Sequence, residues 1–134
     1  MAGKWCDQGE HDLLEVYLVG TPAFRDTLYL GLFTNTTEPP EDATLAAITE
    51  PSGNGYGRIA LDHADWTVVA DLATHAQKTF TSTPGAWGDI WGYFLCTVVS
   101  GTAGLLLGVE AFSGGKYTVG AEGSVKVTAK LTAV

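Results

Sequence analysis

The apolar and polar positions of this chain alternate most regularly near its end. In residues 124–134 apolar side chains alternate with Lys and Thr, which is the period of a strand with one buried face. Residues 27–34 and 90–99 are apolar at almost every position, as in strands that are covered on both faces. Shorter strand patterns, separated by glycine-containing turns, occupy residues 56–61, 66–69, 77–81, 105–112 and 117–119. The pattern predicts a mainly β protein, an antiparallel β-sandwich of jelly-roll or Greek-key type with about seven or eight strands.

One segment has helical periodicity instead. Within residues 8–19 the apolar side chains recur at helical spacing and charged residues fill the other faces. Those apolar residues are Leu13, Leu14, Tyr17 and Leu18. Gly20, Thr21 and Pro22 then provide a stop signal. A helix of about three turns is not stable alone, so this N-terminal α-helix is expected to pack on the sheet or on a neighbouring subunit.

Length and composition indicate one domain that spans residues 1–134. No Gly/Ser or Pro tract separates two halves that could fold alone, and 46% of the residues are hydrophobic. The 17 glycines lie mostly at the ends of apolar runs, where tight turns need them. These features exclude a largely disordered chain.

The formal net charge of −8 argues against nucleic acid as a partner, because binding to phosphates draws on clustered Lys and Arg. Twelve of the 15 acidic residues lie at or before Asp71, whereas four of the seven basic residues lie after it. This asymmetry is typical of a solvated acidic face, and it also allows a head-to-tail contact between subunits.

The two cysteines are too far apart in sequence for a zinc site or a multi-bridge framework. Cys96 lies in an apolar strand and reads as a core thiol, whereas Cys6 could be exposed. A bridge between them stays open, since pairing depends on close Cα atoms. The chain has neither a secretory signal pattern nor an apolar run that could cross a bilayer, so a soluble protein made in the cytoplasm is expected.

No set of residues predicts catalysis, a cofactor or a metal. The densest polar cluster, Asp62-His63-Ala64-Asp65, reads as an acidic turn and offers too few oxygens for calcium. His11 and Glu15 lie one helical turn apart but lack a third ligand. The acids Asp89, Glu110 and Glu122 could be paired as in a glycosidase, but solvated strand ends explain them equally. We expect a protein that is not an enzyme and has no small-molecule substrate.

Aromatic residues are the stronger functional signal, because they exceed what a small core needs. They are Trp66, Trp87, Trp91, Tyr93 and Tyr117. Core packing, a subunit interface and stacking on a sugar all fit such a set. The predicted interface joins four of them to the helix, and its residues are Leu13, Leu14, Tyr17, Leu18, Trp66, Trp87, Trp91 and Tyr93.

The order of motifs along the chain resembles a family of small structural proteins in the virions of tailed bacteriophages. The motifs are Leu13-Leu14 followed by Gly20-Thr21-Pro22, the strand 28–34 (LYLGLFT), the acidic Pro-rich loop 36–42, the element Gly55-Tyr56-Gly57-Arg58, and the run 87–95 (WGDIWGYFL). The resemblance covers nearly the whole chain and implies a mainly β virion protein with one helix.

The resemblance implies two roles, both without catalysis. One is a capsid decoration or cement protein that bridges subunits of the major capsid protein, assembles as a homotrimer, and is found in the virion after assembly in the host cytoplasm. The other is a tail-tip, fibre-linked or receptor-binding module that recognises a host glycan or protein. In the first role the N-terminal segment through Val19 is expected to hold a neighbouring protein.

Overall fold

The computed structural model describes residues 3–133, and in this range the protein is mainly β, with antiparallel sheets and one α-helix. The strands are β1 (Lys4–Trp5), β2 (Thr27–Phe33), β3 (Ile59–Asp62), β4 (Trp66–Val69), β5 (Leu72–His75), β6 (Lys78–Thr81), β7 (Gly88–Ile90), β8 (Gly92–Cys96), β9 (Leu106–Ala111), β10 (Tyr117–Val119), β11 (Ser124–Val127) and β12 (Lys130–Thr132). The helix α1 is Asp7–Leu14, and a π-helical turn, Glu15–Val19, follows it directly. Short 3₁₀ turns occupy Leu45–Ala47 and His63–Asp65.

The largest sheet has five strands in the order β1-β9-β8-β2-β3. Its strands β2 and β8 come from the two segments that are apolar at almost every position, and the sheet is covered on both faces as that pattern predicts. Three smaller sheets, β10-β7, β11-β6 and β12-β5-β4, complete the fold. The twelve strands described here exceed the seven or eight expected, because β1, β5 and β7 were not predicted and one predicted strand divides into β11 and β12.

Alternate residues of the central strands enter two separate hydrophobic clusters. Leu30 and Leu95 belong to the first cluster, where they meet side chains of the smaller sheets such as Phe80 and Val125. Phe33 of β2 and Phe94 and Cys96 of β8 belong to the second cluster, which also contains Ala43 and Leu45 of the loop after β2, and Cys6. Burial on both faces therefore fixes the register of β2 against β8, since a slip of one residue would exchange the two clusters.

Residues 124–134 do not form the single strand that their alternation predicts. The segment divides into β11 and β12, which pair with β6 and β5 respectively. Thr74 pairs with Lys130, and Lys78 pairs with Val127. Three residues lie between the paired positions on the β5–β6 side and two on the β11–β12 side, so the β5–β6 side has one extra residue at the break. Such an extra residue bends a ladder, and the alternation continues through the bend because both parts still bury one face.

The helix is shorter than residues 8–19 and packs by a different face from the one its leucines suggest. A Cβ added to Gly9 would overlap the backbone of Leu107, so α1 lies directly on β9. Cys6, just before the helix, is buried rather than exposed, and both cysteines are free thiols. The Leu13 and Leu14 side chains consequently stay about half exposed.

Candidate functional site

A continuous row of large apolar side chains is exposed along α1 and the π-helical turn. We call it the helix stripe, and it consists of Leu13, Leu14, Tyr17, Leu18 and Val19, which are between 47% and 83% exposed. No residue of the π-helical turn is buried. Large apolar side chains that are exposed in one segment are typical of interaction surfaces.

An apolar groove of about 380 Å³ lies beside the helix stripe, and Leu13 belongs to both. Phe24, Trp66 and Val68 form its outer walls, and Phe24 and Val68 are each about two-thirds exposed. Leu61 and Leu131 also line it and belong to the first hydrophobic cluster. The groove is thus an opening from the surface toward the interior of the protein.

An ion pair fixes the segment between the helix stripe and the groove. Gly20 ends the π-helical turn in the left-handed conformation, with φ at 77°. The guanidinium of Arg25 then donates two hydrogen bonds to the buried Asp12 carboxylate, from Nε at 2.9 Å and from Nη2 at 2.7 Å. The hydrogen bonding of the Arg25 guanidinium to the Asp12 carboxylate raises the pKa of Arg25. This pairing holds Phe24 at the groove wall, where its ring meets the His63 ring edge-on at 5.4 Å.

Carboxylates surround this apolar surface. Asp26 lines the groove, and Asp62 lies beside His63, with its Oδ1 at 3.4 Å from the imidazole Nδ1. The nearby cation Arg25 is already neutralised by Asp12. On the helix, Glu10 and Glu15 are adjacent to the exposed leucines. The helix stripe and groove are therefore an apolar surface with an acidic rim.

The structure separates the predicted interface residues into three groups. The four helix residues Leu13, Leu14, Tyr17 and Leu18 lie on the helix stripe, and Trp66 lies at the groove. Trp87 and Trp91 are half-buried elsewhere and pack on different hydrophobic clusters.

Tyr93 is 3% exposed, and its hydroxyl accepts a hydrogen bond from Lys130 N at 3.0 Å, so it belongs to the core. Phe24 and Val68 complete the surface but were not predicted, because single apolar residues in a turn and in a short strand carry no periodic signal.

The motif Gly55-Tyr56-Gly57-Arg58 forms a buried polar centre rather than a binding site. The Arg58 side chain is 3% exposed, and its guanidinium donates to both carboxylate oxygens of Glu50, at 3.0 and 2.8 Å. It also donates to the carbonyl oxygens of Val98 and Gly101, and it lies 5.2 Å from the centre of the Phe94 ring. Burial would lower the pKa of Arg58, but its contacts with Glu50 and other neighbours outweigh burial and raise it.

Tyr56 extends this centre to strand β2. Its hydroxyl donates to Glu50 at 2.6 Å and accepts from Leu32 N at 3.0 Å. Burial and the hydrogen bond to Glu50 raise the pKa of Tyr56. Tyr56, Arg58 and Glu50 together fasten the loop after β2 and the loop after β8 to the sheet.

A second groove, of about 650 Å³, lies on another part of the surface and has a mixed lining. It contains the half-exposed Tyr117 ring together with Glu110 and Lys126. Burial raises the pKa of the Glu110 carboxyl. At its edge Asp89 accepts hydrogen bonds from Thr118 Oγ1 at 2.7 Å and Lys116 Nζ at 3.0 Å, which lower the pKa of Asp89.

The acidic cluster 62–65 and His75 have structural partners. Asp62 Oδ1 accepts from Ala64 N at 2.8 Å, which caps the 3₁₀ turn. Both ring nitrogens of the buried His75 face carbonyl oxygens, of Ala76 at 2.8 Å and Asp62 at 3.0 Å. Within residues 3–133, no three His, Cys, Asp or Glu side chains come together as a metal site requires.

Comparison with models of protein families and with curated protein sequences gives no match to this chain. In the part of the chain that the structure describes, no helix is long and apolar enough to cross a membrane.

Proposed function

We propose that this protein is a non-enzymatic structural component of a phage virion, a decoration or cement protein that binds the outside of the head and bridges subunits of the major capsid protein. The observation that carries the proposal is the helix stripe with its groove, an exposed apolar surface on a domain whose polar centres are occupied by internal contacts. The order of motifs, from Leu13-Leu14 to the run 87–95, supplies the phage context.

In this role the protein acts by binding to the capsid and not by catalysis. Each Å² of apolar surface removed from water contributes roughly 25 cal/mol, so the helix stripe would stabilise any joint that it covers. A protein that binds only the assembled form of its partner shifts the equilibrium toward assembly. The acidic exterior keeps the free protein soluble until it docks.

We further infer a β-sandwich arrangement and a homotrimeric assembly. The sandwich is supported by the first hydrophobic cluster, in which residues of the five-stranded sheet meet residues of the smaller sheets. The trimer is supported by the helix stripe, which residues 3–133 of the same chain leave uncovered. In this arrangement the major capsid protein lies against the assembled ring.

A tail module that recognises a host glycan is the second candidate. The mixed groove favours it, because an exposed aromatic ring beside a carboxylate and an ammonium group is a suitable surface for a sugar. Quantitative mass spectrometry of purified particles separates the two roles. A copy number comparable with that of the major capsid protein supports decoration, a few copies per particle support the tail, and absence from particles contradicts both.

A further inference from the structure

The apolar groove beside the helix stripe presents negative charge but no free guanidinium or ammonium group. Among the described residues that line it, Arg25 is the only Lys or Arg, and its guanidinium already binds the buried Asp12 carboxylate. Asp26 lines the groove, and its side chain is 79% exposed. Asp62, with a side chain that is 66% exposed, lies between two other lining residues. Asp65 is also exposed and adjoins a wall residue, so a partner that covers the groove approaches three carboxylates.

The rest of the acidic half of the chain supplies no cation for these carboxylates. Its two other basic residues are also engaged, and the pairs are Lys4–Glu38 and Arg58–Glu50. Within residues 3–133, no Lys or Arg forms an ion pair with Asp26, Asp62 or Asp65. The negative charge at the groove is therefore available to a partner.

The interior of the groove suits a large apolar side chain. Its volume is about 380 Å³, its lining is mainly apolar, and Leu61 and Leu131 connect it to the first hydrophobic cluster. Phe24 and Val68 at its walls are about two-thirds exposed. A side chain that enters the groove removes these apolar surfaces from water, which favours association.

Charge discriminates between the kinds of partner that could supply such a side chain. A second copy of this chain would bring the same carboxylates to the contact, and an anionic lipid surface would bring phosphates. Both place like charges together, which opposes binding. A protein segment with Lys or Arg beside its apolar residues matches the groove and the acidic rim at the same time.

We propose that the groove binds an amphipathic segment of another protein, whose apolar side chain lies between Phe24 and Val68 and whose flanking Lys or Arg residues pair with Asp26, Asp62 and Asp65. Recognition of an amphipathic segment by an apolar groove is a common mode of protein binding. The inference rests on the proposed function for the location of that partner, on the phage particle. The chemistry of the contact is a property of the groove and is tested on the isolated chain.

Three synthetic amphipathic peptides of equal length, each with a fluorescent dye, provide the first test by fluorescence anisotropy. One carries Leu on one face and Lys on the other, the second has Glu in place of Lys, and the third has Ser in place of Leu. The Leu/Lys peptide should bind the wild-type chain at least about tenfold more tightly than the other two. Its binding should weaken as ionic strength rises from 0.01 M to 0.1 M, since the Debye length falls from about 30 Å to about 10 Å.

Two double variants show whether this binding occurs at the groove. Phe24→Ser/Val68→Ser removes the apolar walls, and Asp26→Asn/Asp62→Asn removes charge while keeping the acceptor oxygen that caps the 3₁₀ turn. Each should weaken binding of the Leu/Lys peptide by at least about tenfold. The charge variant should also reduce its salt dependence.

Matched variants on another part of the surface are the controls. Tyr117→Ser/Val99→Ser removes apolar side chains that are at least half exposed, and Asp89→Asn/Glu122→Gln makes the same change in net charge. Both should bind the Leu/Lys peptide as the wild type does, and circular dichroism should show that all four variants fold. A Leu/Lys peptide that does not bind, that binds no better than the Leu/Glu peptide, or that responds equally to the groove and control variants would overturn the proposal.

Carbodiimide cross-linking of purified particles tests the partner itself, because it joins carboxylates directly to lysine amines that pair with them. Asp26, Asp62 or Asp65 should be linked to lysines of a different protein. Links from these residues only to lysines of this chain, or no links from them while its other carboxylates react, would overturn the proposal and leave the proposed function intact. Absence of the chain from particles would contradict the proposed function, whereas selective peptide binding at the groove would still support this inference.

Discussion

At the scale of single residues, two glycine–phenylalanine pairs set the spacing of the five-stranded sheet. Gly31 pairs with Phe94 and Gly92 pairs with Phe33 across the β2–β8 ladder. A Cβ on either glycine would overlap the ring of its partner. Each phenylalanine therefore covers the backbone of a glycine on the neighbouring strand, an arrangement that stabilises glycine in a sheet.

Alanine at these glycines should destabilise the fold. We expect Gly31→Ala and Gly92→Ala each to lower the free energy of unfolding by about 1–3 kcal/mol, since the rings have no space into which to move. Gly57→Ala is the matched control, because no atom lies within 4 Å of its added Cβ. Urea unfolding measures the difference. Equal stability of all three variants would contradict the close packing of β2 on β8.

Arg58 should be the most important charged residue for stability. Arg58→Met leaves the Glu50 carboxylate and two loop carbonyls without their donor, and we expect a loss of about 3 kcal/mol. Lys116→Met removes an exposed ion pair with Asp89 and should change stability by less than about 1 kcal/mol. If chemical denaturation gave the two substitutions the same effect, Arg58 would not be the centre that joins the loops.

The sequence alone indicated only part of the arrangement around Arg58 and Tyr93. The run from Gly55 to Arg58 was recognisable as a motif, but nothing in it showed that the guanidinium turns inward to Glu50. That contact joins residues from separate loops, and only the folded chain brings them together. The core position of Tyr93 also depends on a contact between distant segments. Its hydroxyl accepts a hydrogen bond from the backbone N–H of Lys130, which is 37 positions further along the chain.

At the scale of elements, the helix shows what periodicity can and cannot predict. The leucine spacing correctly predicted a helical N-terminal segment with an apolar side and a stop at Gly20. The leucine spacing did not show that the opposite side of the helix packs on the sheet. That contact depends on Gly9 and on the ion pair between Asp12 and Arg25. Small and charged residues gave no apolar signal for that face.

Gly9→Ala tests this packing by the sign of its effect. Alanine is the better helix former by about 1 kcal/mol, so an unpacked helix would gain stability from the substitution. The added Cβ would meet the backbone of Leu107, which has no freedom to move, and we expect a net loss of about 1–3 kcal/mol. Thermal unfolding monitored by circular dichroism decides between the two. A higher melting temperature would contradict direct contact between α1 and β9.

The positions of the strands were easier to predict than their pairing into sheets. Every long apolar run contains a strand, but β1, β5 and β7, which have two to four residues each, were not among the predicted strands. The split of residues 124–134 was also missed, since a bend with one extra residue leaves the alternation of side chains intact. Sheet membership is set by pairing between distant segments, which a local pattern does not encode.

At the scale of the whole molecule, the buried cysteine thiols and tyrosine hydroxyls predict a loss of stability at alkaline pH. Burial raises the pKa of the Cys6 thiol to about 11, and burial also raises the pKa of Cys96, Tyr56 and Tyr93. A raised pKa means that the folded state holds its proton more tightly than the unfolded state. The contribution is complete below the unfolded pKa and is lost as pH rises toward the folded pKa.

For Cys6 this loss falls between about pH 9 and pH 11 and amounts to about 2–3 kcal/mol. Urea unfolding of the wild type and of Cys6→Ala across this range checks it. The stability advantage of the wild type should shrink as pH rises, because alanine does not titrate. A constant difference between the two proteins would show that the Cys6 thiol is not held neutral by burial.

The acidic charge, the buried polar centres and the apolar surface formed by the helix stripe and the groove together support the proposal of a protein that acts by docking. Among the larger features, the mainly β fold and the helical N-terminal segment followed from sequence patterns. The groove beside the helix stripe did not, because Phe24, Trp66 and Val68 come from a turn and from strand β4, which the fold alone brings together.

Cryo-electron microscopy of intact particles tests the central claim most directly. The account predicts density for this chain at the three-fold or quasi-three-fold positions of the head, with the helix stripe and groove covered by neighbouring chains. Particles assembled with the Tyr17→Ser/Leu18→Ser variant should lack that density. Heads without this chain in wild-type particles, or a bound chain whose helix stripe and groove face solvent, would contradict the account.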